Sequence, residues 1–185
     1  MKKILLISGK SGSGKDQVAT YMEDYLKEDN QKVLVTHFAD PVKFFLRQHY
    51  GYTGAKTPEE RSLLQRIGTD VVKNKYPDYW GNIISQFISA VKDEWDYAII
   101  PDYRFPDELM CIKDFNQTSV LTLRVNRYAK EGKPYINPKM TIEQLNHISE
   151  NALDNFHFDL YINNNGDLDT LKNNTISCVK KWIKE

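Results

Sequence analysis

The residues with the clearest chemical meaning lie near the start of the chain, in the run Gly9-Lys10-Ser11-Gly12-Ser13-Gly14-Lys15-Asp16. Glycines at 9, 12 and 14 let the backbone curl with its N–H groups turned inward, and Lys15 adds a compact positive charge to the same hollow. The apolar run Ile4-Leu5-Leu6-Ile7 precedes this loop and a helical pattern follows it, so a helix N-terminus with its partial positive charge faces the hollow too. Such a cradle suits a polyphosphate, held by Gly9, Ser11, Gly12, Ser13, Gly14, Lys15, Asp16 and Gln17. A Ser or Thr hydroxyl that ligates magnesium is usual after the loop lysine, and Asp16-Gln17 supplies none. Magnesium would therefore be held by a carboxylate, with Asp16 and Asp102 the candidates, by phosphates or through water.

A second phosphate needs cations of its own. The six arginines, at 47, 61, 66, 104, 124 and 127, all lie in the middle of the chain, and a guanidinium fork binds phosphate oxygens in pairs. Arg61, Arg66 and above all Arg104, two residues beyond Asp102 at the mouth of an expected strand, are the acceptor-side candidates; Arg47 and Arg124 read as solvated surface cations. Asp102 is either an acid on the magnesium side or a helix cap, and Asp40 is either a group beside the acceptor phosphate or only an N-cap. Glu108 is either a further acid or part of a surface helix. Tyr76, Tyr79 and Trp80 could form a flat slot for a nucleobase or pack in the core, the second being the stronger reading for Trp80. The four histidines form no i, i+4 pair, and no Ser/His/Asp set is legible.

The elements that must position these groups follow from periodicity. After the loop a helix is expected to about Glu28, then a strand over Val33 to Phe38. Asp40-Pro41 reads as N-cap and first helical residue, with the helix over Val42 to Tyr50. Thr57 should cap a helix that runs through Val72, and Tyr79 to Val91 a further one after the break at Tyr76-Pro77-Asp78. Tyr97 to Ile100 is a strand closed by Pro101-Asp102, Asp107 to Phe115 a helix, and Ser119 to Val125 a strand. Asn126 to Lys139, with Arg127, Lys130 and Lys133, reads as a mobile loop. Phe158 to Ile162 is a fifth strand, Asn163-Asn164-Asn165-Gly166 a turn, and Leu168 to Ile183 the closing helix. Strands alternating with helices imply a mainly parallel five-stranded sheet with helices on both faces, an α/β fold of three layers.

Composition narrows the partners. The chain of 185 residues fits one domain, and 25 acidic against 25 basic side chains leave no global field to attract a nucleic acid polymer or an anionic membrane. Cys111 and Cys178 form neither a disulfide framework nor a zinc motif. With only four apolar residues between the first lysines and the glycine loop, neither a signal peptide nor a membrane span is expected there, and the expectation is a soluble, cytoplasmic protein.

The loop, Leu64-Gln65-Arg66-Ile67-Gly68-Thr69-Asp70, Tyr79-Trp80, Pro101-Asp102-Tyr103-Arg104, His147-Ile148-Ser149-Glu150 and Ile162-Asn163-Asn164-Asn165-Gly166 together resemble the tailed-phage deoxynucleoside monophosphate kinases. Asp after the loop lysine is usual in that family. The resemblance implies a P-loop kinase fold and magnesium-assisted transfer from ATP to a (deoxy)nucleoside monophosphate, in a host cytoplasm if the protein is phage-encoded. A helical acceptor region at about 40–95 and a lid loop at about 126–140 are expected within a single domain, 1–185. It makes Lys15 a phosphate clamp, Asp102 a magnesium-side acid and Arg104 an acceptor-phosphate ligand, puts Arg66 and Asp70 in the acceptor pocket and starts the lid at Arg127. Asn163 and Gly166 resemble the turn that borders the donor adenine in related kinases. A homodimer is compatible with this reading. Two rivals stand beside it: a small-metabolite kinase resembling dephospho-coenzyme A kinase, and a nucleotide-binding regulatory module without an acceptor.

Overall fold

The computed structural model describes residues 2–115, 118–129 and 132–184. Lys130, expected in the mobile loop, lies outside them. β1 (Lys3–Ser8) is buried along its whole length, as befits a central parallel strand covered on both faces. Around it lie β2 (Val33–Val35), β3 (Tyr97–Ile100), β4 (Ser119–Asn126) and β5 (Leu160–Asn163), in the order β2-β3-β1-β4-β5 with every pairing parallel. Leu5 pairs with Ile99 on one side and Leu121 on the other.

Alternation along β1 divides the core. Leu5 and Ile7 point to the face covered by α1 (Lys15–Glu28) and α8 (Leu168–Lys184), where Val18, Met22, Val179 and Trp182 join them. Ile4 and Leu6 point to the other face, where α4 (Tyr79–Ala90) and α5 (Pro106–Phe115) contribute Ile84, Ile88 and Ile112. α2 (Asp40–Tyr50), α3 (Pro58–Gln65) and the π-helix Arg66–Lys73 carry a small core of their own from Val42, Leu46, Tyr52 and Ile67, with Trp80 packed against it. Two short helices, α6 (Ile142–Asn146) and α7 (Ile148–Asn151), precede β5.

The structure corrects the expected elements in four places. β2 stops at Val35 because the amides of His37, Phe38 and Ala39 are taken by the carboxylates of Asp40 and Asp102. The N-cap of α2 is Ala39, with Asp40 already inside the helix. The helix expected through Val72 changes to π geometry at Arg66, as the 3.0 Å bond from Asn74 N–H to the Thr69 carbonyl, five residues back, shows. β5 begins two residues late, since Asp159 turns its carboxylate to the Thr122 N–H at 2.8 Å. No helix among the described residues is long and apolar enough to cross a membrane.

Trp182 is fully buried, its ring edge-on to Tyr97, yet among the described residues its indole N–H has no acceptor. An unpaired buried donor costs about 1–3 kcal/mol. Trp182→Phe, which removes that donor with part of the ring, is expected to stay within about 1 kcal/mol of wild type, against about 3–5 kcal/mol for Trp182→Ala in urea unfolding. A Phe variant as damaged as the Ala variant would show that the N–H is paired.

Candidate functional site

The loop between β1 and α1 keeps its curl through a bond from Ser13 N–H to the Lys10 carbonyl at 3.0 Å. Two of its glycines are dictated by space. At Gly9 a Cβ would lie 2.3 Å from Ser13 Oγ and 2.8 Å from the Val125 carbonyl, and at Gly14, with φ of 94°, it would lie 2.4 Å from Asn164 Nδ2. Gly14 is also the N-cap of α1, so the helix opens on Lys15 with its first amides unpaired by any side-chain cap. Ser13 Oγ is buried with no partner among the described residues, a polar atom that an anion in the cradle would satisfy.

Charge is concentrated just above this loop. The Lys15 side chain is 13% exposed; burial lowers its pKa, and the charge of Arg104 lowers it further. The Arg104 guanidinium turns inward, with Nη1 donating to the Ser149 carbonyl at 2.8 Å and to Glu150 Oε1 at 2.5 Å. Burial works against its charge, but Glu150, Asp102 and Glu108 outweigh burial and raise its pKa. Glu150 is itself buried and accepts the Ser11 N–H of the loop on its other oxygen at 3.0 Å. Burial opposes its ionisation, and Arg104 with the Ser11 amide holds its pKa below the ordinary carboxylate range.

Asp102 spends both oxygens on α2, accepting the Phe38 N–H at 2.8 Å and the Ala39 N–H at 3.0 Å. Of the two roles open to it, helix capping is visible, for a helix other than the one that follows it in sequence. Asp16 is a half-exposed carboxylate 3.3 Å from both Lys15 Nζ and Lys56 Nζ; burial opposes its charge, and the two ammonium groups outweigh burial and lower its pKa. Among the described residues no group of three or more His, Cys, Asp or Glu side chains could cage a metal.

Beyond Arg104 a cavity opens, walled by Val42, Arg61, Gln65, Gly68, Thr69, Lys73, Trp80, Asp102, Phe105 and Glu108. Trp80 presents a ring to it while its indole N–H donates to the Gly68 carbonyl at 2.8 Å, so packing and lining are one role. Arg61 reaches back to the loop, 3.2 Å from Ser11 Oγ. Four expected acceptor residues do not line the cavity. Asp40 accepts the His37 N–H at 2.8 Å, which helps depress its pKa to about 2 against the opposing effect of burial. Arg66 and Tyr79 are exposed, and Asp70 is bonded to His147 Nε2 at 3.0 Å.

The stretch after β4 covers the loop from the opposite side. Arg127 Nη1 donates to the Gly12 carbonyl at 3.0 Å and its guanidinium lies over the Tyr135 ring, while Asn137 Nδ2 donates to Ser11 Oγ at 2.9 Å. After β5 it is Asn164 that touches the loop, donating to the Ser13 carbonyl at 2.9 Å; Asn163 only approaches Asn126 at 3.5 Å, and Gly166 packs on Thr170. Arg124, read as a surface cation, is 12% exposed, bonded to Ser8 Oγ and Asp154. Glu150, Lys10, Asn137 and Asn164 are site residues that sequence reasoning left without a role, although Lys10, Glu150 and Asn164 lie in blocks that carry the resemblance.

A glycine loop and buried lysine at the head of a sheet ordered β2-β3-β1-β4-β5 define a P-loop kinase. A model of the deoxynucleotide monophosphate kinase family matches residues 57–175, well over half of the chain, and the chain belongs to that family. It is a nucleoside monophosphate kinase, a phosphotransferase. The glycine loop lies outside the matched stretch, so its assignment rests on its own geometry. No curated protein matches the chain. Among solved structures it is similar to a sugar kinase of Janibacter sp. HTCC2649, unliganded, at 18% identity over 100% of this chain and 95% of that one, with a TM-score of 0.57. It is also similar to the APS kinase CysC of Mycobacterium tuberculosis in complex with AMPPNP and APS, at 13% identity over 100% and 98%, with a TM-score of 0.50. These likenesses speak for the fold.

Glu108, in the cavity wall, accepts the N–H groups of Arg104 and Phe105, and burial pushes its pKa from 4.5 up to about 8 against those bonds and Lys73. The folded chain therefore retains a proton that the unfolded chain releases between these values. Stability is full below pH 4.5 and falls as pH rises through about 8. Glu108→Gln keeps an accepting oxygen and cannot ionise, so urea midpoints measured from about pH 5 to 9 should slope less than in wild type. Parallel slopes would mean that Glu108 is already ionised at neutral pH.

Proposed function

We propose that this kinase moves the terminal phosphoryl group of ATP to the phosphate of a deoxynucleoside monophosphate. The supporting observation is that Glu150 ties Arg104 to the Ser11 amide of the glycine loop, which brings two partly exposed cations, Lys15 and Arg104, near enough for the second to lower the pKa of the first. Like charges held together out of water are costly, and a bridging polyanion makes the arrangement favourable.

In this reading the loop amides and Lys15 hold the donor's phosphates, and Arg104, with the Nε and Nη2 groups that have no partner among the described residues, takes the acceptor phosphate. Arg61 stands between the two, and Trp80 with Phe105 flanks the acceptor's base and sugar. An oxygen of the acceptor phosphate attacks the terminal phosphorus, the bond to the bridging oxygen breaks and the diphosphate leaves with that electron pair. The acceptor is already ionised near neutral pH, so no general base is required, in keeping with Asp40 being engaged elsewhere. Magnesium, held by Asp16 and, through water, by Asp102, whose oxygens already accept two amides, would neutralise phosphate charge. Residues 40–95 serve as the acceptor region and 126–140 as a lid, whose Arg127 and Asn137 already touch the loop and would exclude water.

Lys15→Ala is expected to lower turnover by about 10²–10³-fold without unfolding the chain. Arg104→Ala should raise the apparent KM for the monophosphate at least about tenfold while leaving that for ATP within a few-fold. Both are read in coupled assays over a panel of monophosphates that includes dephospho-coenzyme A. Wild-type turnover by the lysine variant, or product from dephospho-coenzyme A alone, would overturn the proposal.

A further inference from the structure

The turn α7 and its cap join three parts of the site. His147 accepts the Ser149 N–H on Nδ1, which leaves its ring proton on Nε2 for Asp70 of the π-helix. The Ser149 carbonyl and Glu150 Oε1 take Arg104, and Glu150 Oε2 takes the Ser11 amide. On the loop side Lys10 Nζ donates to the Glu150 carbonyl and to Asn151 Oδ1, each at 2.7 Å. The turn is fastened to α3 through α6, where Gln144 Nε2 donates to the Pro58 carbonyl at 2.6 Å and to Ser62 Oγ at 2.8 Å.

A carboxylate beside two phosphate-binding cations opposes anionic ligands, so by charge alone Glu150 lowers affinity. What it supplies is geometry: one rigid group, 9% exposed, whose two oxygens reach a donor-side amide and the acceptor-side guanidinium. We propose that Glu150 is a positioning residue that joins the phosphate loop to Arg104 as one unit, so that ATP and the monophosphate each favour binding of the other. This rests on the kinase reading above. A ligand that engages either the loop or Arg104 then holds Glu150, and through it the other group, in the place where the second ligand meets it.

The test is calorimetric titration of AMP-PNP with and without the deoxynucleoside monophosphate that the wild type turns over best. It compares the full-length wild type, Glu150→Gln and Glu150→Asp, and binding of AMP-PNP alone reports that each is folded. The wild type should show about tenfold coupling between the ligands. Glu150→Gln removes the charge but puts an N–H where an acceptor is needed, and Glu150→Asp keeps the charge but is too short to reach both partners. Both should bring coupling to about one and lower kcat about tenfold, with AMP-PNP affinity in the Gln variant no weaker than in wild type. Coupling retained in both variants, an Asp variant that behaves as wild type, or no coupling in the wild type would overturn the role of Glu150 and leave the kinase reading standing. A wild type that binds no monophosphate would overturn both.

Discussion

The burial of Lys15 beside Arg104 is the constraint on which the rest of the site depends. Each cation has lost much of its water, and each is opposed by the other. The protein balances Lys15 with Asp16 and Glu150, and Arg104 with Glu150, Asp102 and Glu108, but two of these acids are shared with the backbone. Glu150 is shared with a loop amide, and Asp102 is committed to two amides at the start of α2. A site left with directed donors and incompletely satisfied positive charge is preorganised for charge that moves between two phosphates, because the donors need not reorient when transfer occurs.

The fold supplies this arrangement cheaply. Central β1 ends at the glycine loop, its neighbour β3 ends just before Asp102 and Arg104, and its other neighbour β4 ends just before Arg127. Three adjacent parallel strands thus deliver a lysine, an arginine and a lid arginine to one edge, the carboxyl end of the sheet where ligands of open α/β folds gather. The helical region from α2 to α4 adds the wall opposite, with a separate small core built on Val42, Leu46 and Ile67.

The loop, the alternation of strands with helices and the place of Arg104 after a strand were legible in the sequence because short-range spacing dictates them. Glycines at fixed intervals and an apolar run before them have one economical conformation, and a strand's end brings the residue after it to the sheet's edge. The acceptor wall was less legible because recognising a helix does not say which face it turns inward. Gln65, Thr69 and Lys73, four apart, line the cavity, while Arg66 and Asp70, one position on, do not. Asp40 and Asp102 were recognised as acids at strand ends; Asp40 takes the nearby His37 amide, but the amides that Asp102 takes lie 63 and 64 residues away in the chain. Glu150 was hidden for the same reason. The Thr141-x-x-Gln144 capping box that starts its segment was a readable helix signal, whereas its contact with Ser11 spans 139 residues.

The most direct measurement is a crystal structure with a dinucleoside polyphosphate whose two ends mimic ATP and the monophosphate. The phosphate chain is predicted to run from the amides of residues 12–16 past Lys15 to Arg104, with the acceptor base against Trp80. A chain that leaves the loop without meeting the Arg104 guanidinium, or a second nucleoside lodged away from the Trp80 wall, would contradict the assignment of two facing phosphate grips.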